Sequence, residues 1–245
     1  MKTVYSGLLL LSCLFLCSGV SIAVEIPDDM MFVTEEYPPF NYLENGIPSG
    51  LSVELLVTIL ERVGINLPSE QIQVMAWTDA YNTALSHNNT CLFSTARNSE
   101  RENLFSWAGP IIQSPEVFFA IDNTLKTKNR DYSTLRVVAI RDDIGVSIAN
   151  SVGVPKEHIV QVVTTQEAVK RLVDGTSDAW VYAQYPGESL IQTFAENPST
   201  FYILDKLADN TYYYAFSNQT EPQIIQIIQD ELDKLKNDRG LEGFT

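Results

Sequence analysis

Residues 94–110 read STARNSERENLFSWAGP, and within them Arg101 is the side chain whose chemistry stands out. The stretch follows the apolar run Cys91, Leu92, Phe93. Ser99 and Glu102, three apart, form a capping box, which predicts a helix start. In the first turn of such a helix a cation opposes the dipole, so Arg101 calls for a compensating anion. A guanidinium fork grips a carboxylate bidentately. A bound carboxylate therefore stands beside the plainer reading, an exposed arginine paired with Glu100 or Glu102.

Other chemistries lack their residues. The chain has 2 histidines, His87 and His158, and no Cys/His/Asp cluster has metal-ligand spacing. Neither G-x-G-x-x-G nor G-x-x-x-x-G-K occurs, so no cofactor is called for. The segment from Gly145 to Ala149 approaches a nucleophile elbow but lacks its second glycine, and Ser147 reads as an ordinary helix-start serine. A net charge of −15 excludes nucleic acid as a partner and disfavours anionic lipid.

The N-terminus has the layout of a secretory signal. Lys2 precedes an apolar run over residues 7–16, then small and polar residues lead to Ala23 and acidic Glu25. The run is too short for a comfortable membrane span. Residues 1–23 are thus expected to be a signal peptide cleaved after Ala23, leaving a secreted, periplasmic product. Cys13 and Cys17 fall inside it. Leu16 before Cys17, and the short run before Cys13, argue against a lipid anchor. Only Cys91 would remain, so no internal disulfide is expected, and 45% apolar residues must supply the core.

The elements that must position Arg101 alternate in type. Residues 31–34, 72–75 and 91–94 read as strands, and 117–121 and 135–140 as apolar, β-branched runs. Leu51, Leu55, Ile59 and Val63 recur at helical spacing, with Gly64 as a stop, and residues 79–86 read as helical. Thr164 and Glu167 form a second capping box before Ala168, Val169, Leu172 and Val173, closed by Gly175. Strands follow at 178–182, 201–204 and 212–216. Pro222 opens a last helix through Ile224, Ile228, Leu232 and Leu235, stopped near Gly240. Such alternation signals a mostly parallel sheet with crossover helices. Residues 122–133 read as a polar loop or domain edge.

In order and spacing the chain resembles the family 3 extracellular solute-binding proteins, from about Met30 to Phe244. The blocks are Glu36-Tyr-Pro-Pro-Phe-Asn-Tyr42, Asn45-Gly46, the Gly50 helix start, Trp77 with Ala84-Leu85, Ser99-Glu-Arg101 with Phe105, Trp107 and Pro110, and the strand from Gly175 to Val181. The resemblance implies an α/β, two-lobed, type II periplasmic-binding-protein fold. Each lobe has a mixed, mostly parallel sheet with flanking helices, and two crossing strands form the hinge. Lobe one would hold 24–115 and 216–245, and lobe two 116–215, with crossings near 115–119 and 212–216.

The same resemblance assigns a site. Arg101 would hold a ligand's α-carboxylate, Tyr37, Phe40 and Tyr42 would wall the pocket, and Trp77 would be pocket wall or lobe core. Thr95 and Arg97 flank Ala96, which stands where the family usually has a threonine. Arg141 and Gly145 would add lobe-two contacts, Gly145 near a helix start suited to anions. Ala183, next to Gln184, stands where the family places the aspartate that grips the ligand's ammonium. With no counter-ion there, zwitterionic amino acids are expected to bind weakly, and an N-modified amino acid or plain carboxylate to bind better. Tyr182, Tyr185 and Glu188 are the candidate substitutes.

The implied function is capture of a small carboxylate-bearing solute, an amino acid or derivative, for an ABC-type transporter. The protein would be a monomer, partnered by an inner-membrane permease or receptor. The rivals are an enzyme on the same fold, with Glu35, Glu36, Glu188 or a tyrosine moving protons, and a ligand-sensing module for a membrane receptor.

Overall fold

The computed structural model describes residues 26–126 and 131–238. The signal reading, its cleavage after Ala23, Cys13, Cys17 and the stop at Gly240 lie outside the described residues. Eight strands form one continuous sheet, and a ninth and tenth form a separate hairpin. In chain order the strands are β1 (Met31–Thr34), β2 (Tyr42–Glu44), β3 (Ile47–Ser49), β4 (Gln73–Val74), β5 (Thr90–Ala96), β6 (Phe105–Ala120), β7 (Val137–Ile140), β8 (Ile159–Val162), β9 (Ala179–Ala183) and β10 (Tyr202–Ser217). The helices are α1 (Leu51–Arg62), α2 (Trp77–Ser86), α3 (Ile144–Ser151), α4 (Thr165–Val173), α5 (Gln184–Phe194) and α6 (Pro222–Asp238).

The sheet order is β4-β1-β5-β10-β6-β9-β7-β8, with β2 and β3 as the hairpin. Parallel trios lie at the two ends, β4-β1-β5 and β9-β7-β8. Between them β6 and β10, 16 residues each, run antiparallel to each other over nearly their whole length. These two strands tie the lobes together.

Their length corrects the sequence reading, which saw separate short strands at 117–121, 201–204 and 212–216. The polar residues Asp205, Lys206, Asp209 and Asn210 look like a loop locally. Pairing with β6 supplies the backbone hydrogen bonds that their side chains do not advertise, with register shifts absorbing the irregularities.

Helical stripes explain the rest of the packing. Ile224, Ile228, Leu232 and Leu235 are buried on one face of α6, against α1 and β6. In α1 the buried set is Ser52, Val53, Leu56, Ile59 and Leu60, and Leu51 stands 43% exposed, so the inner face is turned from the one the sequence suggests. Thr164 caps α4 by accepting the Glu167 N–H at 3.2 Å, while Val173 is exposed and not core. Every residue of β5 is buried, as befits a central strand that ends beside the Arg101 loop.

Candidate functional site

Residues 97–104 form turns and no helix, which corrects the helix expected after Ser99. The capping box fails because Arg97 takes the Glu102 carboxylate, Nε to Oε2 at 2.8 Å and Nη2 to Oε1 at 2.6 Å. The Arg97 guanidinium also lies 5.5 Å from the Trp107 ring and 5.4 Å from the Tyr213 ring. Arg97 is therefore held in a surface ion pair stacked on aromatics.

Asn98 fixes the turn instead, its side-chain oxygen accepting the Arg101 N–H at 2.9 Å. The Arg101 side chain points inward and is 5% exposed. Nη1 donates to the Ala96 carbonyl at 3.2 Å and Nη2 to the Asp142 carbonyl at 2.8 Å. Its guanidinium carbon lies 5.2 Å from the Trp77 ring centroid and 5.2 Å from that of Tyr81. Two aromatic faces and two carbonyls hold the cation, leaving N–H donors of the fork for another acceptor. The bond to Asp142 crosses from the loop after β5 to the loop after β7.

Aromatic side chains carry the cleft inward. Tyr37 lies 5.6 Å from Tyr182, 5.7 Å from Tyr212 and 6.0 Å from Phe40, centroid to centroid. Phe40 in turn meets Tyr185 at 6.5 Å. Gly50 makes the Phe40 loop possible: its φ is +108°, and a Cβ there would meet the Phe40 carbonyl oxygen at 2.6 Å. Trp77 opens α2 and is buried, with its Nε1–H unpartnered among the described residues. Tyr42 sits half-buried in the hairpin, apart from these ring contacts.

Three buried or partly buried carboxylates face this aromatic interior. Glu116, 1% exposed on β6, accepts from Tyr212 at 2.7 Å and from Asn210 at 3.2 Å, both on Oε1. The Tyr212 hydroxyl also receives the Tyr37 hydroxyl at 2.9 Å. Glu116 Oε2 is buried with no partner among the described residues. Glu35 accepts from the Tyr182 hydroxyl at 3.5 Å. Asp143 caps α3, accepting the Ile144 N–H at 2.7 Å.

Burial first, and Asp143 second, pushes Glu35 well above the usual carboxylate range and Glu116 up to about 8. Burial also raises Asp143, against the opposing pull of Arg101. Tyr37, Tyr182 and Tyr212 are held well above the ordinary phenol value, again chiefly by burial. Among the described residues no group of acids, histidines and cysteines could hold a metal ion.

A cavity of about 600 Å³ opens between the 98–104 turns and α3, lined in part by Asn98, Arg101, Asp142, Asp143, Ser147 and Lys156. Its size suits a small solute.

The remaining expected site residues fare unevenly. Thr95 is buried, with its hydroxyl on the Leu92 carbonyl at 3.4 Å. Arg141 is exposed, and its backbone carbonyl, not its guanidinium, makes a contact, accepting from Thr78 at 3.2 Å. Gly145 packs α3 on β9, where a Cβ would meet Val181 at 3.2 Å. The anion seat at that helix start is filled by Asp143 itself. The Gln184 amide is spent on Glu188 at 3.0 Å, on the outer face of α5. Of the acids considered for proton transfer, Glu36 and Glu188 are exposed and only Glu35 faces inward.

Sequence reasoning missed Glu116, Asp143 and Tyr212. Ala183 itself carries no charge, and the acid nearest it in the sheet comes from another strand. In the β6–β9 ladder Ala183 pairs directly with Glu116.

Two groups of parallel strands joined by a long antiparallel pair, with flanking helices, have the fold of periplasmic binding proteins. The chain belongs to the bacterial extracellular solute-binding proteins, family 3, whose model matches residues 30–243. Similar solved structures include a histidine kinase sensor domain with similarity to periplasmic binding proteins, TM-score 0.74 and 20% identity, covering 88% of this chain and 94% of that one. The arginine-, lysine-, histidine-binding protein ArtJ of Geobacillus stearothermophilus has TM-score 0.70 and 16% identity, covering 85% and 90%. The amino acid ABC transporter substrate-binding protein AbpA of Streptococcus pneumoniae, bound to L-arginine, has TM-score 0.69 and 17% identity, covering 88% and 92%. No curated protein matches the chain by sequence.

Proposed function

We propose that the protein captures a small amino-acid-class solute, bearing both a carboxylate and a cationic nitrogen, in the cleft between its lobes outside the cytoplasm. The lobe boundaries fall within β6 and β10, near 115–116 and 215–216. The observation that carries the reading is a set of three acids within electrostatic reach of the Arg101 guanidinium: Glu35, Glu116 and Asp143. That arrangement suits a ligand whose carboxylate goes to Arg101 and whose nitrogen is met by the acids. The unpartnered Trp77 Nε1–H beside Arg101 is a further donor for that carboxylate.

Delivery to a membrane permease is the partner role that fits a secreted member of this family. The ligand class reverses the expectation of an N-modified amino acid or plain carboxylate, which rested on the missing aspartate alone. A thermal-shift screen tests it, with basic, neutral and acidic amino acids set against simple carboxylates. The largest stabilisation should come from ligands with a free cationic nitrogen. A screen topped by plain carboxylates would refute the reading.

A further inference from the structure

The register of two strands singles out one acid. Glu116 on β6 and Ala183 on β9 are directly opposed in an antiparallel ladder. Directly opposed residues share a face of the sheet, with Cβ atoms about 4.5–5.5 Å apart. The Ala183 methyl leaves the space on that face to the longer Glu116 side chain. Tyr212 and Asn210, both from β10, fix Oε1 and so aim the carboxylate. Oε2 is left buried with no partner, and a buried unpaired polar atom is costly. Trp77 Nε1 is one orphan donor among the described residues, on the ring that carries Arg101. A ligand with a carboxylate and an ammonium could meet both an orphan donor beside Arg101 and an orphan carboxyl oxygen on the crossing strand.

We propose that Glu116 Oε2 is the acceptor for the ligand's ammonium, and that it sets the site's preference for net-cationic amines. This rests on the proposed function and names the residue that selects the ligand. The groups facing Glu116 are Glu35 and Tyr37 from the first-lobe loop, Arg101 from the turns after β5, Asp143 from α3, Tyr182 from β9, and Tyr212 and Asn210 from β10. Arg101 is the sole cation among them, so a ligand of net positive charge balances the cleft better than a neutral one. Parting of the lobes about β6 and β10 admits it. Seating an ammonium on Glu116 converts a neutral carboxyl to carboxylate, and the proton passes to solvent.

The test is titration calorimetry at pH 7 with L-lysine, L-arginine and 1,4-diaminobutane. Glu116→Gln should raise Kd by at least ~30-fold. Adding Ala183→Asp to that variant returns a carboxylate to the same face and should recover most of the loss. A merely structural role for Glu116 would not be rescued from across the strand. Titrations in buffers of different ionisation enthalpy should also show the unaltered protein releasing up to about one proton per ligand. That measurement needs no variant, and holds if Glu116→Gln fails to fold. Wild-type affinity in Glu116→Gln, or no proton release by the unaltered protein, overturns the inference alone. No binding of any cationic probe by the unaltered protein overturns the proposed function and the inference together.

Discussion

Arg101 Nη2 donates to the Asp142 carbonyl at 2.8 Å, a single bond that joins the turns after β5 to the loop after β7. Asp142 holds φ +61°, a left-handed conformation that aspartate adopts more readily than most non-glycine residues. The residue that anchors the ligand in the proposed function is thus also a latch between the lobes.

Removing that cation should cost both roles. Arg101→Ala leaves a ligand carboxylate and the Asp142 carbonyl unmatched, a loss of about 3–5 kcal/mol for a desolvated partner. Binding should weaken by about two to three and a half decades at ~1.4 kcal/mol per decade, measured by calorimetry. Wild-type affinity in the variant rules out the anchor.

The buried acids set the pH dependence of the empty protein. Folding raises Glu35 and Glu116 above their unfolded values, so the native state holds protons that the unfolded chain has released. Stability is then complete below the ordinary carboxylate range and falls as pH rises toward about 8, the value reached by Glu116. The slope is up to ~1.4 kcal/mol per pH unit for each retained proton. Urea unfolding between pH 5 and 8 should show this decline, and Glu116→Gln should flatten it. A stability that climbs across this range contradicts the assignment.

Gly50 tests the cleft's aromatic wall. An alanine there meets the Phe40 carbonyl oxygen at 2.6 Å and inherits a φ of +108°. Gly50→Ala should destabilise the fold by at least about 2 kcal/mol in chemical denaturation and weaken ligand binding by displacing Phe40. An unchanged midpoint would mean that the loop relaxes freely.

Arg97 is the control. It lies on the surface with Glu102, so Arg97→Ala should change ligand affinity by less than about twofold. A tenfold loss in calorimetry would return Arg97 to the site.

Much of this was legible in the sequence, and what was not has a physical reason. Arg101, Tyr37, Phe40 and Trp77 announce themselves through local blocks, and each is buried. The α4 cap at Thr164 is a local signal and forms as read. The matching signal at Ser99 fails because a neighbour outside the motif, Arg97, takes Glu102. Glu116 carries no local mark. Its meaning comes from Tyr212, 96 residues away, and from a strand register that places it opposite Ala183. The same holds for Asp143, which looked like a partner for Arg141 and instead caps α3. In the proposed site the carboxylate end rests on single residues, while the cationic end depends on pairing across the sheet.

Selection for cationic nitrogen can be isolated with one pair of ligands matched in carbon skeleton. L-lysine and hexanoate share a six-carbon carboxylate skeleton and differ only in the two amino groups. Calorimetric titration of the unaltered protein at pH 7 should find L-lysine at least ~100-fold tighter than hexanoate. Hexanoate binding as tightly as L-lysine, or more tightly, contradicts the account.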